Sequence, residues 1–201
     1  ANIHIVFSYP VSFFVSFFAI PTNFFKQTLM PNSIALIILA LNEESCIRQT
    51  YETYKNSIEK KGLNYEFIII NDGSSDQTGE IAETIKREDP SVTVFHNNVP
   101  MGIGYGFKLG LQHTEKEYCM WTGAYCGLSE NYIDLCFDSI GNTDLTIGHI
   151  INPKVRKFFR RNLSSIFTCL MNLITGLNLK YYNAMVLCKT TLLKKIKIRS
   201  N

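Results

Sequence analysis

Two nearly unbroken apolar runs constrain this chain more than any other feature. Residues 33–41 read SIALIILAL and residues 65–70 read YEFIII. Aliphatic, β-branched runs with no polar alternation mark strands buried on both faces, as in parallel sheets covered by helices. Between them Ile47, Tyr51, Tyr54 and Ile58 recur every three or four residues, a helical period that Gly62 ends. The rhythm continues with a helix around Ile81 and Ile85 closed by Asp89-Pro90, and a strand over 91–96. Further helices are predicted over 105–113, 130–140, 156–174 and 190–196, and further strands over 117–121, 144–150 and 182–188. Strands alternating with helices over short links predict an α/β fold: a mainly parallel, Rossmann-like sheet with helices on both faces.

A chain of 201 residues suits one domain with a real core, and 46% hydrophobic residues exclude a disordered polymer. A net charge of +3 without a Lys/Arg stripe gives no reason to expect nucleic acid as a partner. The first thirty residues are a different material. IHIVFSYPVSFFVSFFAI, residues 3–20, approaches the roughly 20 apolar residues that cross a bilayer. Pro10, His4 and three serines interrupt it, and no Lys or Arg precedes it as a signal peptide requires. Residues 1–30 are therefore read as a membrane-associated segment, with a packed extension or a non-native leader as alternatives, and residues 31–201 as the folded domain. Six scattered cysteines with no CxxC pair argue against a zinc knuckle or a disulfide scaffold. Cys119 and Cys188, set among apolar residues, suit small buried thiols. Free thiols imply a reducing compartment, hence a cytoplasmic protein, at the cytoplasmic face of a membrane if residues 1–30 anchor it.

In open α/β sheets ligands bind beyond the carboxyl ends of the strands. Four loops qualify: LNEE (41–44), NDGSSD (71–76), NNVPMGIGYG (97–106) and TGAYCGLSE (122–130). Each has a plain structural reading. Glu43 and Glu44 suit a helix N-terminus, Gly73 permits a tight turn while Asp76 caps a helix, and the third loop's glycines are turn formers. GIGYG is not a dinucleotide fingerprint, because it lacks G-x-G-x-x-G spacing and follows the third strand of the pattern.

Taken together, IALIILALNEESCI and, about 25 residues later, EFIIINDGSSDQTGEIAE closely resemble the opening of family 2 glycosyltransferases. Dolichyl-phosphate mannose synthases and related polyprenyl-phosphate sugar transferases share this pattern. The resemblance implies a GT-A fold with Asn42, Glu43, Asn71 and Asp72 lining a nucleotide pocket, Asn71 standing where many relatives have Asp. HNNVPMGIGYGFKLGLQ is similar to the family's glycine-rich stretch, which implies that Gly102, Gly104 and Gly106 let backbone approach a diphosphate. After the fourth strand of the pattern the family carries Asp-x-Asp or Gly-Asp-Asn-Glu, whose carboxylates hold Mg²⁺ or Mn²⁺. Here Gly123 matches the glycine and Ala124 occupies the Asp position, so no metal ligand is assigned.

INPKVRKFFRRNLSSIFTCLMNLITGLNLKYYNAMVLCKTTLL resembles the distal half of that subgroup. It implies Arg156, Arg160, Arg161 and Asn183 as contacts for phosphate or acceptor. Ala184 departs from the subgroup's glycine, and a solvated basic face is the plainer reading of the arginines. Asp134, Asp138 and Asp144 suit helix surfaces or strand edges rather than a catalytic base, and no base is named. The implied activity is an inverting hexosyltransferase using a UDP- or GDP-sugar and a lipid-phosphate or glycan acceptor. Two alternatives stay open: a catalytically impaired relative that binds nucleotide or a partner enzyme, and an anchored interaction module that uses residues 1–30 and no nucleotide.

Overall fold

The computed structural model describes residues 3–8, 32–127, 129–150, 158–176, 178–179, 182 and 185–198. The run SIALIILA forms β2 (Ser33–Ala40), in which every residue is buried. It lies inside a seven-stranded sheet, hydrogen-bonded in parallel to β3 (Asn64–Asn71) on one side and to β5 (Tyr118–Gly123) on the other. β4 (Val92–His96) extends the sheet in parallel beyond β3.

Beyond β5 the sheet changes character. β7 (Val186–Lys189) runs antiparallel between β5 and β6 (Leu145–Ile150), and β1 (Ile3–Ser8) pairs in parallel with β6 at the edge. The strand order is therefore β1-β6-β7-β5-β2-β3-β4. Part of the apolar N-terminal segment thus forms an edge strand, while residues 9–31 lie outside the described residues. No helix among the described residues is long and apolar enough to cross a membrane.

The two-residue period of a strand splits β2 between two cores. Ile34, Leu36 and Ile38 face α1 (Ile47–Lys60), α2 (Thr78–Glu88) and α4 (Glu130–Phe137) through Tyr54, Ile58, Ile85 and Phe137. Ala35, Ile37 and Leu39 face α3 (Ile103–Gln112) and the short α6 (Thr190–Leu193) through Leu111 and Leu193. Burying one such Ile or Leu contributes about 1.5–3 kcal/mol, and the only polar residue of β2, Ser33 at its start, accepts a hydrogen bond from the Glu117 N–H (2.9 Å).

α3 is seated closely because Gly106 and Gly110 lie one turn apart against the sheet. A Cβ at Gly110 would come within 2.8 Å of Ile37, and one at Gly106 within 2.8 Å of Leu39. Gly106 therefore serves helix–sheet packing and does not face the strand ends. α1 starts at Ile47, after the chain has turned at Asn42 with φ +57°. α5 (Phe158–Thr175) is the longest helix.

Candidate functional site

The polar loops that follow β2, β3, β4 and β5 gather at the carboxyl ends of these parallel strands. The first two hold each other by reciprocal bonds. The Asn42 amide N–H donates to Ser74 Oγ (3.0 Å), and Asn42 Oδ1 accepts from the Ser75 N–H (2.9 Å). The Glu43 N–H donates to Thr78 Oγ1 (2.8 Å). The Glu44 N–H donates to Asp76 Oδ2 (3.2 Å), while Glu44 Oε2 accepts from the Gln77 N–H (2.9 Å). Glu44 and Asp76 are thus committed to joining the loops. Asp76 Oδ1 also accepts from the Thr78 N–H (3.0 Å) at the start of α2. The Glu43 carboxylate takes no hydrogen bond from the described residues.

Asp72 organises the third loop. Its Oδ1 accepts from Asn97 Nδ2 (2.7 Å) and the Met101 N–H (2.8 Å), and its Oδ2 accepts from the Gly102 N–H (2.8 Å). Burial pushes the carboxyl up, but these three donors together outweigh it and hold the group below the usual carboxylate range. Gly102 sits at φ +88°, a conformation that favours glycine, immediately before α3. A Cβ at Gly102 or at Gly123 would meet nothing within 4 Å, so backbone borders open space at both positions. Gly104 lies in the first turn of α3.

Asn71 is buried at the end of β3, directly opposite His96 in the β3–β4 register. Its Oδ1 accepts from the Ser74 N–H (3.3 Å) and its Nδ2 donates to His96 Nδ1 (3.0 Å). His96 Nε2 in turn meets Glu83 Oε1 at 3.1 Å. With the Asn71 amide as donor, His96 is neutral at Nδ1 and carries its proton on Nε2. A groove of about 550 Å³ opens beside this chain, lined by Asn71, Ser74, Asp76, Glu83, Arg87 and His96. Neither His96 nor Glu83 was expected from the sequence. Their only signal was the strand register that sets residue 96 opposite residue 71.

The loop after β5 is built differently. The Ala124 N–H donates to Leu39 O (3.0 Å), and the Ala124 side chain is 1% exposed, inside the same core as Tyr54 and Tyr132. Thr50 Oγ1 donates to Tyr125 O (3.1 Å). Cys126 forms a disulfide with Cys46, the residue preceding α1, across a sequence separation of 80 residues. No pairing was expected from the scattered spacing, whereas Cys119 and Cys188 are buried free thiols as expected. Cys119, Cys136 and Cys188 are buried free thiols, Cys169 is an exposed one, and Cys46 and Cys126 are paired. The spacing could not show it, because the pairing depends on β2 and β5 being neighbours.

Closing an 80-residue loop contributes about 2–4 kcal/mol. Reduction is therefore expected to lower the melting temperature by roughly 5–15 °C. Alkylation in denaturant should label four cysteines before reduction and six after it. Six labelled without reduction would refute the bridge.

The other candidate residues separate clearly. Asp134 pairs with Lys60 (2.7 Å), Asp138 with Lys61, and Asp144 with Lys189 (2.8 Å), so each serves an ion pair. Arg160 and Arg161 belong to the first turn of α5. Arg156, Asn183 and Ala184 lie outside the described residues. Among the described residues no group of three His, Cys, Asp or Glu side chains is placed to hold a metal ion.

A mainly parallel sheet with this polar rim at its carboxyl ends is the GT-A architecture. Two solved structures share it. One is a glucosyl-3-phosphoglycerate synthase of Mycobacterium tuberculosis, solved in complex with Mn²⁺ and UDP (TM-score 0.57, 17% identity, covering 82% of this chain and 59% of that one). The other is a mycobacterial protein (TM-score 0.63, 15% identity, covering 85% and 57%). Residues 35–197 match Glycosyl transferase family 2, and the chain belongs to that family.

Curated relatives include a dolichyl-phosphate beta-glucosyltransferase of Trichomonas vaginalis, 30% identical over 45% of this chain and 30% of that protein. An undecaprenyl-phosphate 4-deoxy-4-formamido-L-arabinose transferase of Edwardsiella ictaluri is 21% identical over 76% and 47%. The chain spans about a third of the length of the first of these relatives.

Proposed function

We propose that this chain is the nucleotide-sugar-binding domain of an inverting glycosyltransferase that uses a UDP- or GDP-sugar and delivers the hexose to a lipid-phosphate or glycan acceptor. One observation carries the reading. Asn42, Glu43, Asn71, Asp72 and Gly102, drawn from three separate loops, converge in one hydrogen-bonded rim at the strand ends. Asn71 and Asp72 set the shape of the base and ribose pocket. Gly102 and Gly123 let a diphosphate come close to backbone, and the N-terminus of α3 supplies partial positive charge there. Relatives that use dolichyl or undecaprenyl phosphate support the lipid-phosphate acceptor.

Two structural neighbours were solved with Mn²⁺. The loop after β5 in this chain does not fit such an ion. Ala124 has no ligand atom and is packed in the core, and Cys126 is committed to Cys46. A hard divalent cation requires oxygen ligands. The charge of the leaving diphosphate therefore falls to cationic side chains, for which Arg156, Arg160 and Arg161 are the candidates. The same Ala124 favours a second reading, a catalytically impaired relative that keeps nucleotide binding and serves a partner enzyme.

Calorimetric titration of the chain with UDP and with GDP, in Mn²⁺ and in EDTA, tests this. One nucleotide is expected to bind, with an affinity that Mn²⁺ changes by less than about threefold. Failure of both nucleotides to bind would defeat the proposal. Binding without release of nucleotide from the matching sugar donor, polyprenyl phosphate being supplied, would select the second reading.

A further inference from the structure

One backbone N–H fixes the direction of a chain of side-chain hydrogen bonds that runs from β3 through β4 to α2. The Ser74 N–H can only donate, and it meets the Asn71 amide at 3.3 Å, so Oδ1 is the atom that faces it. The Asn71 NH₂ is then left facing His96 Nδ1 (3.0 Å), which has to accept. A neutral ring that accepts at Nδ1 carries its proton on Nε2, and Nε2 donates to Glu83 Oε1 (3.1 Å). The Glu83 carboxyl suits that role. The bond from His96, with the Lys86 ammonium nearby, outweighs burial and holds it below its usual range. α2 lies directly over the pair at Gly79, where a Cβ would come 2.8 Å from Asn71 Nδ2 and 3.5 Å from His96 Cε1.

A protonated His96 cannot keep this arrangement. It donates from both ring nitrogens, so Nδ1–H would face the Asn71 NH₂, donor against donor. The amide then has to turn over and offer Oδ1 to the ring, which sets its NH₂ against the Ser74 N–H. Asn71 is 7% exposed, so a mis-set amide has little water to turn to, and a buried donor without an acceptor is costly. The ring itself is reachable, its side chain being 42% exposed in the groove. The charged groups that line the groove with it are Asp76 in the loop after β3 and Glu80, Glu83 and Arg87 on α2. Glu83 is the one that meets the ring, with Lys86 on it at 3.4 Å, while Asp76 is bonded into its own loop. The protonated ring thus has an anion beside it.

We propose that His96 is the positioning residue for Asn71. Its neutral ring sets the amide that anchors the loop over 71–76, and its protonation turns that amide and weakens nucleotide binding. The effect on nucleotide rests on the donor reading above, whereas the setting of the amide does not. The loop at stake carries Asp72 and is tied to Asn42 through Ser74 Oγ and the Ser75 N–H, so a turned amide reaches across the rim.

Histidine changes charge between about pH 5 and 8, which sets the range of the test. Long-range proton–nitrogen NMR spectra of the full chain, without nucleotide, read the amide directly. At about pH 8 the His96 ring is expected to be neutral with its proton on Nε2. A neutral ring protonated on Nδ1 would overturn the proposal. On acidification to about pH 5.5 the Ser74 amide resonance should move together with His96 in the parent. It should stay in place in Asn71→Asp, whose carboxylate accepts from ring and loop alike. Equal movement in both would show that the amide does not turn. Titration with UDP and GDP then reads the consequence. Parent affinity should fall about three- to tenfold between about pH 8 and about pH 5.5, beyond any fall in Asn71→Asp. His96→Asn offers a non-titrating oxygen near the place of Nδ1, so it should bind as the parent does at the higher pH and lose the acid sensitivity. A fall shared equally by parent and both variants would refute the link to binding. If neither nucleotide binds at either pH, the donor reading fails, and the spectra still decide the role of His96.

Discussion

Replacing Asp72 with Ala is expected to abolish measurable UDP or GDP binding, a loss of about 30-fold or more, at a stability cost of about 2–3 kcal/mol. The two effects differ in size because of what the carboxylate holds. Its three donors, Asn97 Nδ2 and the N–H groups of Met101 and Gly102, belong to one exposed loop. Water can reach that loop once Asp72 is gone, so the fold survives. The loop loses the anchor that positions Gly102 and the start of α3, and with it the backbone against which a diphosphate would sit.

Asp72→Asn sharpens the test. Its remaining oxygen can keep Asn97 and Met101, whereas its new NH₂ faces the Gly102 N–H, donor against donor. Affinity should fall to an intermediate level, and hydrogen exchange should accelerate at Gly102 more than at Met101. If Asp72→Asn binds nucleotide as the parent does, Asp72 does not organise this loop for a ligand.

Some of this architecture could be read directly from residue order. The continuous run in β2 announced a strand buried on both faces, and all eight residues are buried. The period of Ile47, Tyr51, Tyr54 and Ile58 announced the inward face of α1, and all four are buried. The polar loops were legible because strand ends in such sheets need turn formers. What stayed hidden depends on which strands become neighbours. Cys46 and Cys126 meet only because β2 and β5 pair, and His96 reaches Asn71 only through the β3–β4 register. The antiparallel insertion of β7 is likewise a matter of topology, invisible to a period-two pattern.

Gly106 shows a different limit. A glycine that meets a ligand and one that meets a sheet look alike in a sequence, and the contact with Leu39 and Ile70 decides for the sheet. Amphipathicity announced α5, but not that Leu163, Ile166, Leu170 and Leu173 would stand exposed.

Asp89→Ala should show the converse of Asp72→Ala, a large loss of stability with nucleotide affinity retained wherever the protein is folded. Asp89 is 4% exposed at the end of α2. Its Oδ2 accepts from the Tyr51 hydroxyl (2.7 Å), Lys55 Nζ (2.9 Å) and the Tyr65 hydroxyl (3.3 Å), and its Oδ1 from the Ser91 N–H (2.8 Å). One carboxylate thus joins α1, β3 and the entry to β4. Removing it takes the buried acceptor from the Tyr51 hydroxyl and leaves the half-buried Lys55 ammonium with only the Tyr51 oxygen (3.1 Å) and the more distant Glu59 (3.9 Å), a change that costs about 3–5 kcal/mol. That corresponds to a melting temperature roughly 8–15 °C lower. Tyr51→Phe, which deletes the bond donated to Asp89 and the one accepted from Lys55 but leaves their ion pair, should cost only about 1–2 kcal/mol.

The pH dependence separates this network from simple packing. Burial pushes the Asp89 carboxyl up, but Tyr51, Lys55 and the Ser91 amide together hold it at about 2, against an ordinary 3.8. A folded value below the unfolded one means that the stabilisation is fully present above about pH 4. It drains away as the pH falls toward about 2, a contribution of about 2 kcal/mol. Melting temperatures followed from pH 5 down to 2.5 should therefore drop more steeply for the parent than for Asp89→Asn. Parallel curves would show that Asp89 is held by shape rather than by its charge.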